Sequence, residues 1–140
     1  MTNETTLDRK TMRFMTRTKA FPIGAVLSVV TGLRLVLDIG EVYEVLNFMT
    51  GESLYTHQLP RVGREAEPVI LTMHPQLAEA KAEAEQVTPE NYLTWLATWE
   101  ARYGTAITVP QMTTAEHERI DALSELAEKV SPDKIVVIAP

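Results

Sequence analysis

The run FPIGAVLSVVTG, residues 21–32, limits what this chain can become. It is the longest apolar stretch in the sequence, and it is interrupted by Pro22, Gly24 and Ser28. At roughly half of the ~20 residues that a membrane span needs, it has to be buried by the rest of the chain instead. Pro22 suits a first helical turn, Ile23, Val26, Leu27 and Val30 recur on one face at helical spacing, and Gly32 supplies a left-handed stop. The stretch therefore predicts a short buried helix. With 140 residues, 45% of them hydrophobic, the chain can wrap one sizeable core around that helix but hardly two.

Further helices can be read around it. After an extended piece at 33–37, Asp38 can accept from the free N–H groups that open a helix. Ile39, Val42, Tyr43, Leu46 and Met49 then line one face until Gly51. Pro60 starts another helix, which Pro68 should kink or restart because proline lacks an N–H and clashes with the preceding turn. His74-Pro75 bends the chain into QLAEAKAEAEQ, a surface helix or helical linker with little to bury. Thr88-Pro89-Glu90 starts a helix carrying the stripe Tyr92, Trp95, Leu96, Trp99 and Tyr103, which fits core packing better than a ligand-site lining.

Near the end, Thr113 and Glu116 have capping-box spacing, followed by Ile120, Leu123, Leu126, Ala127 and Val130 on one core-facing stripe. The β-branched runs at 105–109 and 135–138 read as two strands paired with each other. The expected class is a mainly helical α+β single domain with a small two-stranded sheet. Its globular part should span 20–140, and residues 1–19, rich in Thr and poor in apolar side chains, should form a flexible basic arm.

Charge divides in the same way. Arg9, Lys10, Arg13, Arg17 and Lys19 give the first twenty residues a net +3, leaving −9 on the remainder and −6 overall. The acidic body weighs against a large phosphate-binding face, and the arm is read as a solvated tail before it is read as a nucleic-acid contact. Cysteine is absent, so disulfides, thiolate zinc sites and cysteine nucleophiles are excluded. No leader with a small-residue cleavage site is visible, so a soluble intracellular protein is expected.

Enzyme signatures are missing: there is no G-x-S-x-G, no P-loop, no G-x-G-x-x-G and no H-E-x-x-H. His117 and Asp121, four apart on the expected helix, could offer two metal ligands, but no second pair completes a site, so no metal and no cofactor are assigned. His74 is read as bonding a backbone group at the bend. The richest stretch is GESLYTHQLPR, where Tyr55, His57, Gln58, Arg61 and Arg64 cluster at a helix start. Leu54 and Leu59 should anchor that loop in the core, which favours a structural connection. Of all segments, it is nonetheless the best candidate for docking a partner. An acidic helix face at Glu118, Asp121 and Glu125 is the second candidate.

The order KAFPIGAVLSVVTG, IGEVYEVLNFMTG, LYTHQLPRV, MHPQL and ERIDALSELAEKVSPDKIVVI resembles a family of small proteins of unknown function from tailed bacteriophages and prophages. NFMTG followed by THQLPR is its most specific part. The resemblance implies a compact domain in a phage setting and carries no catalytic residue across. By analogy with accessory phage proteins, the expectation is a non-enzymatic module in the host cytoplasm. It would bind a host protein or complex, including an inhibitory role against defences such as CRISPR–Cas. The alternatives are a small enzyme or sensor for a phosphorylated or nucleotide ligand at residues 55–64, and a nucleic-acid binder using the basic arm.

Overall fold

In the computed structural model, which describes residues 17–36 and 38–129, the apolar run forms the helix Ile23–Val30 (α1) at the centre of the molecule. All eight of its residues are buried, not only the expected face. A helix that is apolar all round has no side to give to water. Its one hydroxyl, on Ser28, donates back to the Gly24 carbonyl at 2.8 Å. The helix closes with paired bonds, Gly32 N–H to Val29 O and Leu33 N–H to Ser28 O, both 3.0 Å. That closure needs a left-handed residue, and Gly32 takes it at φ 72°. Leu33 follows at φ 65°, and its side chain packs over Gly63, which compensates for the strain of a left-handed leucine.

Among the described residues, five further helices and a small sheet complete a mainly helical α+β fold. The second helix, Ile39–Thr50 (α2), starts where Asp38 accepts from Gly40 N–H at 2.9 Å and Glu41 N–H at 3.3 Å, and ends on left-handed Gly51. Val42, Val45, Leu46 and Met49 bury its inner face, while Ile39 at the open end stays exposed. A 3₁₀ turn at Thr56–Gln58 leads into Leu59–Met73 (α3). Leu59, Val62, Gly63, Ala66, Val69 and Ile70 form its buried stripe. The helix does not restart at Pro68. The proline ring faces solvent, and the carbonyl it leaves without a donor belongs to exposed Arg64, where water can serve it.

The Ala/Glu-rich piece forms Ala78–Glu83 (α4), which packs on α1, and a 3₁₀ turn to Gln86; Leu77, Ala80 and Ala84 are its buried residues. Helix α5, Tyr92–Tyr103, places Trp99 in the core, with Trp95, Leu96 and Tyr103 packed beside it. Both indole N–H groups, Trp95 at 2.7 Å and Trp99 at 3.1 Å, donate to a single Glu83 oxygen.

Strand β2, Ala106–Pro110, pairs antiparallel with β1, Thr18–Pro22, in the register Phe21 to Ile107 and Lys19 to Val109. Its expected partner at 135–138 lies outside the described residues, as do the arm cations Arg9, Lys10 and Arg13. Thr18 and Lys19, at the end of the expected arm, are paired in β1, which runs directly into the buried α1. The Lys19 ammonium lies 5.3 Å from the centre of the Phe21 ring. No helix among the described residues is long and apolar enough to cross a membrane.

The last described helix departs from expectation. Thr113 N–H does donate to Glu116 at 2.9 Å, but residues 114–116 make only a turn and 117–121 form neither helix nor strand. The helix begins at Ala122 and runs to Lys129 (α6). The carbonyls of Glu118 and Ile120, outside the helix, receive bonds from Arg61 and Gln58, and His57 bonds the carbonyl of Ala122, the first residue of α6.

Candidate functional site

The GESLYTHQLPR loop is held from both ends. Leu54 and Leu59 are buried, Leu54 N–H donates to the Asn47 side chain at 2.9 Å, and Tyr55 N–H donates to Gln58 Oε1 at 3.0 Å. These bonds satisfy the backbone of the connection and leave the outer side chains in fixed positions. Between the loop, α3 and residues 113–129 lies a junction of one guanidinium, one imidazole and three carboxylates.

Arg61 is its hub. It grips Glu125 with two parallel bonds, Nε to Oε2 at 2.7 Å and Nη2 to Oε1 at 3.0 Å. Its Nη1 donates to Glu65 and to the Glu118 carbonyl, each at 2.9 Å. The forked geometry is one that arginine provides and lysine cannot. The Glu125 hydrogen bond holds the Arg61 guanidinium above its usual pKa range against the opposing effect of burial, with Glu65 adding to the rise. Gln58, also buried, gives its amide to Ile120 O and to Glu125 Oε1, each at 3.3 Å.

His117 closes the other side. Its Nδ1 lies 2.6 Å from Glu65 Oε1 and its Nε2 lies 2.5 Å from Glu52 Oε2. A carboxylate only accepts, so both bonds form together when each ring nitrogen carries a proton. Arg119 reaches over to the Thr50 carbonyl at 3.1 Å, placing a cation on the C-terminal end of α2.

Of the expected docking residues, Gln58 and Arg61 therefore point inward. His57, half-buried, donates from Nε2 to Ala122 O at 2.9 Å, and Tyr55 stacks on its ring with centroids 6.1 Å apart. Tyr55 is 62% exposed, and Arg64, also exposed, faces a separate cavity on the next row of α3. The expected acidic face is not one surface. Glu125 is 2% exposed, Asp121 caps α6 by accepting from Ser124 N–H at 3.1 Å, and Glu118 lies at the exposed edge. His117 and Asp121 do not share a helix turn. Among the described residues no group of three or more His, Asp or Glu side chains is placed to hold a metal. His74 bonds the Thr108 carbonyl at 2.7 Å, the backbone role read for it.

Sequence reasoning missed Glu52, Glu65 and the inward turn of His117. Glu65 lies four residues beyond Arg61, the spacing of a helix ion pair, and that signal was legible. The contacts with His117 and Glu125 were not, because their partners lie 52 to 65 residues away.

The orientation of α6 follows from this junction. With Glu125 turned in, Leu123 is 76% and Leu126 40% exposed, the reverse of the expected stripe. Both leucines belong to the helix whose first carbonyl, that of Ala122, is bonded to His57 beneath Tyr55.

Residues 21–80 match a family model described as a domain of unknown function (DUF7736). The match takes in α1, α2 and α3 with Glu52, Gln58, Arg61 and Glu65, and stops before the segment that supplies His117 and Glu125. No curated protein and no solved structure matches the chain.

Proposed function

We propose that this protein is a non-enzymatic protein-binding module that docks through the exposed side of the 55–58 turn and α6. The observation carrying this reading is the inverted helix: α6 buries Glu125 on Arg61 and presents Leu123 and Leu126 to solvent, while exposed Tyr55 stacks on the His57 that bonds the first residue of α6. Apolar side chains left outward on a rigid support are what a protein interface uses as its centre, with tyrosine among the residues enriched there. The charged groups serve to hold the platform. The partner would offer an apolar groove, and in the phage setting implied by the sequence resemblance it would belong to bacterial host machinery, defence complexes included.

The test is capture from bacterial lysate with the wild-type chain and with a Tyr55→Ala, Leu123→Ser variant. Both positions are exposed, so the variant's stability should stay within about 0.5 kcal/mol of wild type. A stoichiometric partner retained by the wild type and lost by the variant is the expected result. Equal capture by both chains removes this surface from the reading.

A further inference from the structure

Away from this surface, on the neighbouring row of α3, lies a cavity of about 370 Å³ between the α1–α2 turn, α3 and α4. Arg34, Arg64 and Lys81 line it with Gly32, Pro60 and Glu67. Lys81 is matched by Glu67 at 2.6 Å, and Arg34 meets exposed Glu85 only at 3.8 Å. Arg64 has no ion pair among the described residues. The cavity is therefore a cationic recess in a protein of net charge −6. The space around Gly32 on the cavity wall is open, with nothing within 4 Å of where a Cβ would be. A second cavity of about 320 Å³ shares Arg34 and is otherwise lined mainly by Val36, Val87, Pro89 and Tyr92. One side of Arg34 is thus built for an anion and the other for an apolar or aromatic body.

We propose that the paired cavities bind a small free phosphate monoester. Its phosphate would sit on Arg64, Arg34 and Lys81, and its apolar or planar body against Tyr92 and Val87. Guanidinium groups match phosphate oxygens in geometry and charge, and both volumes fall in the range of small-molecule sites. The site is independent of the protein-docking reading, since no residue is shared with Tyr55, Leu123 or Leu126.

The probes are inorganic phosphate and phenyl phosphate, titrated against the full chain at matched ionic strength and followed by amide chemical shifts. Phosphate should give saturable shifts at Gly32, Arg34 and Arg64, and phenyl phosphate should bind about tenfold more tightly by burying its ring, with added shifts at Val87 and Tyr92. Arg64→Ala should weaken both probes, whereas Tyr92→Ala should remove only the phenyl advantage; Arg64 is exposed, so an otherwise unchanged spectrum verifies the fold. Shifts that fail to saturate, binding unaffected by Arg64→Ala, or equal affinity for the two probes would each overturn the proposal. Co-sedimentation with phosphatidic acid vesicles but not phosphatidylcholine vesicles would overturn the assignment to a free ligand in favour of a lipid headgroup.

Discussion

Replacing Arg61 with alanine should be among the most damaging single changes on the polar side of this protein. The guanidinium makes four hydrogen bonds, two of them to a Glu125 carboxylate that is 2% exposed. Removing it takes from that buried carboxylate the guanidinium that grips it, and breaking a buried pair in this way costs about 3–5 kcal/mol. Arg61 keeps some contact with water, which places the expected loss near the lower end, about 3 kcal/mol. Glu125→Ala should cost less, about 2 kcal/mol, because Glu65 still partners the arginine. The double variant should then lose about 3 kcal/mol instead of the additive 5, a coupling of about 2 kcal/mol.

Urea unfolding followed by the fluorescence of Trp95 and Trp99 gives all four corners of the cycle from shifts in midpoint at constant slope. Hydrogen exchange adds the location, and protection should fall first at the amides of 117–126. A raised folded-state pKa gives stability that is present below the unfolded pKa and lost only as pH rises through the folded one. For Arg61 both lie far above neutrality, so the difference between wild type and Arg61→Ala should be flat from about pH 8 to 10. A loss below about 1 kcal/mol with negligible coupling would place the pair among solvated surface bridges and refute the account of the junction.

The other expectations are more local. Glu83→Ala should cost about 1–3 kcal/mol by leaving the buried Trp99 indole N–H without its acceptor and should change tryptophan emission, while Glu83→Gln, which keeps a carbonyl acceptor, should cost much less in the same urea assay. Asp38→Ala should lower stability by about 1 kcal/mol through loss of the α2 cap, and Asp38→Asn should restore most of it; an Asn variant no better than Ala would contradict the capping role.

The elements that could be read before the structure are those whose signals are local. The Asp38 cap, the Ile39–Thr50 helix, the left-handed stops at Gly32 and Gly51 and the start at Pro60 each depend on residues within one or two turns. The GESLYTHQLPR loop was legible as far as its anchors: Leu54 and Leu59 are buried as their pattern indicates. Its polar side chains were not, because Tyr55 and Arg61 look alike as loop-end polar residues, and only the arrival of Glu125, 64 positions away, turns one inward and leaves the other in solvent. Of the kink or restart expected at Pro68, a restart does not occur, since a missing hydrogen bond on a water-facing side is a cost that tertiary burial of Ala66, Val69 and Ile70 can carry.

The sequence by itself determined that this chain would bury residues 23–30, build a mainly helical α+β domain around them and cap its early helices where it does. Apolar periodicity and backbone stereochemistry act over a few residues and leave no alternative there. Only the tertiary structure decided that β1 pairs with β2, that residues 117–121 stay outside any helix and that α6 turns its leucines outward. Those outcomes depend on long-range partners, Phe21 against Ile107 and Arg61 against Glu125, and a hydrophobic stripe specifies that a face exists without specifying what it meets.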